Sequence, residues 1–207
     1  MDNLLASPVA FFIFLLTIAT SLLAFSGSTG IMQRFILHPY TVVRQRRYYT
    51  LLTSGLIHAD VPHLLFNMIT FYFFVFPLEY FMGHGRFLAL YVAGLIFSSL
   101  PSVIKHRDDP KYMALGASGA VTAALFSCII YVPTASIYLM FIPIPIPAPL
   151  FAVLYVGFSY YSARSGRQTR IGHTAHLWGA ITGLVMTLLL DWRAYPHFFQ
   201  KLQQMLG

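Results

Sequence analysis

The sequence predicts an all-α, polytopic membrane protein, a bundle of six transmembrane helices forming one domain over residues 1–207. Three observations predict it. Of the 207 residues, 57% are hydrophobic and only 9% charged, where soluble domains carry about 25% charged residues; the mean hydropathy is +0.69. The charges are gathered between long apolar runs. Pro8 to Phe25 is 18 residues without a charge, and the uncharged run from Tyr112 to Ala163 has room for two crossings. The ~10-residue alternating segments of a transmembrane barrel are missing.

The same composition excludes several function classes. The net charge of +7 resides in connecting loops, without the interleaved aromatic and basic residues of a nucleic-acid surface. Cys128 is the only cysteine, so no internal disulfide forms. There is no H-E-x-x-H, and eight histidines with six scattered carboxylates make a poor zinc set. No metal or cofactor is expected.

Taken in order, the first span is Pro8–Phe25. Met1-Asp2-Asn3 lacks the basic start of a secretory leader, and no amphipathic Arg-rich transit segment is visible, so this span reads as retained. Residues 26–61 form a long connection with Arg34, Arg44, Arg46 and Arg47; a loop of this length is functional or has structure of its own, and Tyr48 and Tyr49 suit short helices at the membrane surface. The second span covers 62–80, with Pro62 in a first helical turn and Asp60 as its cap. The third covers 87–104 and the fourth 115–132, ended by Pro133. Pro143, Pro145, Pro147 and Pro149 demand extended backbone, so the fifth span covers 149–162. After a loop with Arg164, Arg167 and Arg170, the sixth covers 172–190, followed by a short amphipathic tail.

Polar residues inside apolar helices are costly unless partnered, and three groups of them stand out. Leu115-Gly116-Ala117-Ser118-Gly119-Ala120 sets a serine among small residues at the mouth of a helix. Its hydroxyl is open to approach, and the unpaired N–H groups of a first turn can serve a developing oxyanion. Gly116 and Ala120 also have the spacing of a packing motif. His63 and Asn67, four apart, share one helix face; they read either as glue between helices or as neutral donors to a negative charge. His176, Gly179, Ala180 and Gly183 form one stripe of the sixth span. The glycines admit a neighbouring backbone, and His176 rides at the top. His173 is its rival but lies roughly 60° off the stripe. No carboxylate stands beside Ser118: Asp191 falls at the far end of span six, and Asp108 and Asp109 in a charged loop. A triad thus lacks its third member; the residues leave open a Ser–His dyad, the imidazole serving as base and then acid, or a packing seam with a hydrogen-bonded histidine at its end.

His63-x-x-x-Asn67, Gly116-Ala117-Ser118-Gly119 and Ala175-His176-x-x-Gly179-x-x-x-Gly183, in this order along the chain, resemble the rhomboid intramembrane serine proteases. Arg47-Tyr48-Tyr49-Thr50 resembles the arginine-containing segment of that family's first loop, and Glu79 with Gly83 its turn after span two. The resemblance covers roughly residues 8–190. It implies Ser118 as nucleophile and His176 as base. It also implies an oxyanion and substrate-binding site of His63, Asn67, Gly116, Ala117 and the Ser118 N–H, within a wet polar cavity that includes His58. The substrates implied are single-span membrane proteins cut in or near the bilayer, and the location a bacterial inner membrane. The chain departs from the family at Thr122, where many members carry an aromatic residue that stacks on the histidine. The rival functions are a non-catalytic rhomboid-fold adaptor for transmembrane helices and a small transporter; the latter calls for repeat symmetry or a mid-membrane charge, and neither is visible.

The family orientation, N-terminus in the cytoplasm, leaves ten of thirteen Lys/Arg in loops one, three and five on the outer side, against the positive-inside rule. Six spans return both termini to one face. A topology reporter fused after Gly207 is expected to read out a cytoplasmic C-terminus; an external signal rejects that orientation.

Overall fold

The computed structural model describes residues 6–27, 30–139, 142–164 and 172–206. Helix α1 (Pro8–Phe25) is followed by a connection of short helices: α2 (Ile31–Phe35), α3 (Pro39–Gln45), α4 (Thr50–Thr53) and a 3-10 turn, Ser54–Leu56. Then come α5 (Val61–Met82), α6 (His84–His106) and α7 (Ser118–Tyr131). A hairpin of β1 (Ser136–Leu139) and β2 (Ile142–Pro147) leads to α8 (Ala148–Arg164), α9 (His173–Leu190) and α10 (Ala194–Leu206). Four of these, α1, α5, α6 and α9, are long and apolar enough to cross a membrane.

The six apolar segments recur as helices, the first with its expected bounds and the others with shifted ends. The fourth begins at Ser118, three residues later than expected, because residues 115–117 are spent on the turn that delivers the serine. At 14 residues, α7 is about 21 Å long, short of the ~30 Å hydrocarbon core. It is nonetheless the centre of the bundle: every residue from Gly119 to Ile130 is buried, chiefly under α5, α6 and α9.

The purely helical expectation is corrected by the hairpin. Ser136, Ile137 and Leu139 pair antiparallel with Pro147, Ile146 and Ile142. Successive strand residues turn their N–H groups to opposite edges. Prolines at every second position therefore strip one edge of donors and leave the paired edge intact.

The two ends of the bundle are tied differently. At one end, Gly83 takes the left-handed φ of 76° between α5 and α6, so two long helices reverse without a loop. Beside it Glu79, fully buried, accepts the Val9 N–H at 3.1 Å and the Ala10 N–H at 2.6 Å, and meets His84 Nδ1 at 2.5 Å. Two orphan donors of the α1 start are thus capped by a carboxylate from α5. Ser7 adds a hydrogen bond to the Phe76 carbonyl at 2.8 Å.

At the other end the first connection is bound to the segment between α6 and α7. Leu37 and Ala114 exchange backbone hydrogen bonds, and His38 Nε2 donates to the Pro110 carbonyl at 3.0 Å. Arg44 bonds the Arg107 carbonyl at 2.7 Å and Asp108 at 2.9 Å. That hydrogen bond from Arg44 holds the Asp108 carboxyl below its usual range. The expected surface segment thus has structure of its own. Arg167 and Arg170 of the fifth loop lie outside the described residues.

Glu79→Ala is expected to lower the stability of the detergent-solubilised protein by about 2–4 kcal/mol, since it strands two buried donors. Thermal unfolding measures it, and an unchanged midpoint would contradict the clamp.

Candidate active site

A single seam positions the serine. Helices α7 and α9 run parallel and touch every fourth residue. A Cβ on Gly179 would overlap the Gly119 carbonyl oxygen, and one on Gly183 would overlap that of Ala123. One turn further, Ser127 Oγ and Thr187 Oγ1 are hydrogen-bonded at 2.6 Å; one turn beyond that, the Tyr131 hydroxyl donates to Asp191 at 2.8 Å. Four-residue ridges on both helices give this spacing, and missing side chains let backbones meet. The seam continues upward to the site: the Gly119 Cα faces the Ala175 carbonyl, with a Cβ there only 3.6 Å away. Ser118 and His176 stand at this upper end, each partly exposed.

Gly116 sets the entry to α7. Its φ of 109° is closed to other residues, and its N–H is held by the Ser54 carbonyl at 2.9 Å. A Cβ there would meet His63 Cε1 at 2.8 Å and Nε2 at 3.0 Å, so the imidazole lies directly over Gly116. Ala117, fully buried, is the last residue before the helix.

His63 is fixed from its own helix. Asp60 caps α5 by accepting the His63 N–H at 2.8 Å. The Ala59 N–H approaches His63 Nδ1 at 3.5 Å. An accepting Nδ1 puts the ring proton on Nε2, which faces the loop before the serine. Asn67 Nδ2 donates one hydrogen to the His63 carbonyl at 3.1 Å and has a second to give. His58 is fully buried, its ring 5.0 Å from that of His63; Nδ1 meets Ser21 Oγ at 3.0 Å, while Nε2 has no partner. Burial, and secondarily the neighbouring His63, push the His58 imidazole down to about 3, so it is neutral at pH 7.

The two histidines of α9 diverge. His173 packs edge-on against Phe158 of α8, with ring centres 5.5 Å apart. The His176 ring is stacked on Tyr155 of α8 at 6.1 Å and 27°. Among the described residues, neither Ser118 Oγ nor a ring nitrogen of His176 makes a hydrogen bond. Ser118, Gly116, Ala117 and His63 are therefore gathered around one turn, with Asn67 one helical turn further along α5, His176 on the adjoining helix mouth and no hydrogen bond joining it to the serine. The expected wet cavity around them is not the 400 Å³ groove between α1 and α5, which is lined by apolar residues such as Phe14, Leu64 and Met68.

Two participants escaped the sequence reading. Tyr155 carried no motif, and its one signal was the absence of an aromatic residue at position 122. Ser98 of α6 packs its hydroxyl onto Gly119, where any Cβ would clash with it; a serine at mid-span was the only trace.

Fold and site define a polytopic helical membrane protein with a serine, histidines and an amide collected at one end of a glycine-packed helix pair. Residues 45–193 match the Rhomboid domain family model, and the chain belongs to the rhomboid family. It is 31% identical over 172 residues to RHOMBOID-like protein 12, mitochondrial, of Arabidopsis thaliana, covering 74% of this chain and 51% of the plant protein. It is 26% identical over 158 residues to Rhomboid protease GluP of Bacillus subtilis, covering 76% and 29%. With Presenilin-associated rhomboid-like protein A, mitochondrial, of Danio rerio it shares 26% over 166 residues, covering 74% and 41%. The chain spans about half or less of the length of these relatives. They include mitochondrial proteins of a plant and a fish, so the expected bacterial inner membrane is not supported; what stands is a membrane protein with several apolar helices.

Gly179→Val is expected to force α7 and α9 apart, costing about 1–3 kcal/mol or more by overpacking. Gly157→Ala, where a Cβ meets nothing within 4 Å, serves as the silent control in the same thermal unfolding measurement. Equal midpoints for both would contradict the seam.

Proposed function

We propose that this chain is an intramembrane serine endopeptidase that cuts single-span membrane proteins in or near the bilayer, through a Ser118–His176 dyad. The observation that carries the reading is the α7–α9 backbone contact, which leaves Ser118 and His176 at adjoining helix mouths with the His63 ring over Gly116. Family membership supports it, since relatives named as rhomboid proteases are among those matched. In this reading six helices cross the membrane: the four long ones together with α7 and α8.

Ser118 Oγ attacks the scissile carbonyl carbon while a His176 ring nitrogen takes its proton. The carbonyl oxygen becomes an oxyanion, met by the His63 Nε2–H, the free hydrogen of Asn67 Nδ2 and the Ser118 N–H at the unpaired start of α7. Collapse expels the leaving amine, protonated by His176. Water, deprotonated by the same ring, then releases the acyl group from Ser118. No cofactor or metal takes part in this scheme. The shortfall of α7 relative to the hydrocarbon core, about 9 Å or nearly two turns, brings the serine within reach of water while keeping it at membrane depth.

One observation favours the rival, a rhomboid-fold adaptor that binds transmembrane helices without cutting them: the missing hydrogen bond between Ser118 and His176. Catalytic hydrogen bonds are often long without substrate, so the two readings part on chemistry. A serine-directed fluorophosphonate is expected to label the wild-type protein and not Ser118→Ala, which is expected to lose cleavage of a single-span substrate and still fold. No labelling of folded wild-type protein, or cleavage surviving in Ser118→Ala, refutes the dyad. His63→Ala and Asn67→Ala are expected to lower kcat about 100-fold each, one donor of several being removed.

A further inference from the structure

We propose that Tyr155 of α8 is a positioning residue for His176, holding the imidazole toward Ser118 from a third helix. The inference rests on the dyad reading above. Three contacts carry it. The Tyr155 ring is stacked on the His176 ring, with centres 6.1 Å apart and planes 27° from parallel. Its hydroxyl is 3.2 Å from Thr122 Oγ1 on α7, one helical turn below Ser118. Its other sides are wedged by Phe126 of α7 at 5.6 Å and Phe151 of α8 at 5.5 Å.

An imidazole with no hydrogen-bonded partner turns freely about its last torsion, a broad and shallow one. Here no carboxylate is at hand: Asp191 is engaged by Tyr131 at the far end of α9. A flat aromatic surface restricts the ring by stacking instead. The threonine bond fixes the tyrosine to the helix that carries the nucleophile, so Ser118, Tyr155 and His176 are registered to one another through Thr122. That hydroxyl also answers why a buried threonine occupies α7 here: it is the acceptor or donor a phenol needs when it enters an apolar bundle. The consequence is that α8, which contributes nothing to the reacting groups, governs how fast the dyad works.

The test measures fluorophosphonate labelling of Ser118 in detergent, resolved into the maximal rate and the half-saturating concentration, with thermal midpoints alongside. Wild-type labelling that disappears in Ser118→Ala comes first; if it is missing, the dyad reading falls, and this inference with it. Given that labelling, Tyr155→Leu is expected to slow the maximal rate about thirtyfold, the scale of a misdirected catalytic group, with half-saturation unchanged. Tyr155→Phe keeps the ring and loses only the Thr122 bond, so about threefold is expected. Thr122→Phe in the Tyr155→Leu background returns a ring from the serine helix, and is expected to recover the rate. Should Tyr155→Leu fail to fold, Tyr155→Met replaces it and decides in the same way. A folded ring-less variant labelling within twofold of wild type, or a loss as large in Tyr155→Phe as in Tyr155→Leu, overturns the proposal.

Discussion

The candidate site in this molecule is built on a pair of backbones in contact. Where Gly179 meets Gly119 and Gly183 meets Ala123, α7 and α9 approach too closely to admit a Cβ on either glycine of α9. In a bilayer such a pair cannot rely on the hydrophobic effect, since lipid tails are as apolar as leucine; it is held by dispersion and by hydrogen bonds between helices. Ser127 with Thr187, and Tyr131 with Asp191, supply the latter below the glycines. Ser118 and His176 stand at the upper end, and among the described residues no hydrogen bond joins them. A seam already secured by the lower turns leaves its top free for the chemistry proposed there.

Around that opening the donors are fixed without being consumed. Asp60 and Ala59 hold His63 by its backbone N–H and Nδ1, leaving the Nε2 proton over Gly116. Asn67 spends one amide hydrogen on its own helix. Preorganisation of this kind is what makes donors effective at a developing oxyanion, because nothing has to reorganise when the charge appears. The arrangement of His176 follows another logic. Serine hydrolases commonly orient the base with a carboxylate, but a lone charge placed beside the His176 imidazole in a low-dielectric bundle would be expensive. A tyrosine, with one hydroxyl and one bond to satisfy it, can steer a ring at far lower cost.

The surplus of basic residues at the Ser118 end has a related explanation. Arg44 is bound to the Arg107 carbonyl and to Asp108, and stacks on Tyr40 at 4.1 Å; Arg47 bonds the Tyr49 hydroxyl at 2.9 and 2.7 Å. These guanidinium groups sit in a folded segment that is bound to the next loop through the Leu37–Ala114 bridge. The positive-inside rule describes charges in short loops that must be carried across the bilayer. Arginines that pair with one another's loop and with interfacial tyrosines have work to do where they stand, so a simple count of them overstates their pull on topology.

Much of this was legible in the residues. Apolar run lengths gave the long helices to within a few positions, and the His176–Gly179–Gly183 stripe announced a close approach because a glycine repeat at helical spacing has few other uses. Asp60 as a cap followed from Asp-Val-Pro opening a helix. What was not legible depends on partners distant in sequence. Alternating prolines predict extended backbone but not the strand that pairs with them. Glu79 looked like part of a turn, whereas its carboxylate caps a helix 69 residues away. Tyr155 is the sharpest case. A tyrosine among the aromatic residues of α8 has no periodicity or motif to distinguish it, and only the register of three helices brings it over His176. The sequence did hold half of that contact: a threonine where a ring was expected is a vacancy, and a vacancy beside His176 asks which other helix fills it.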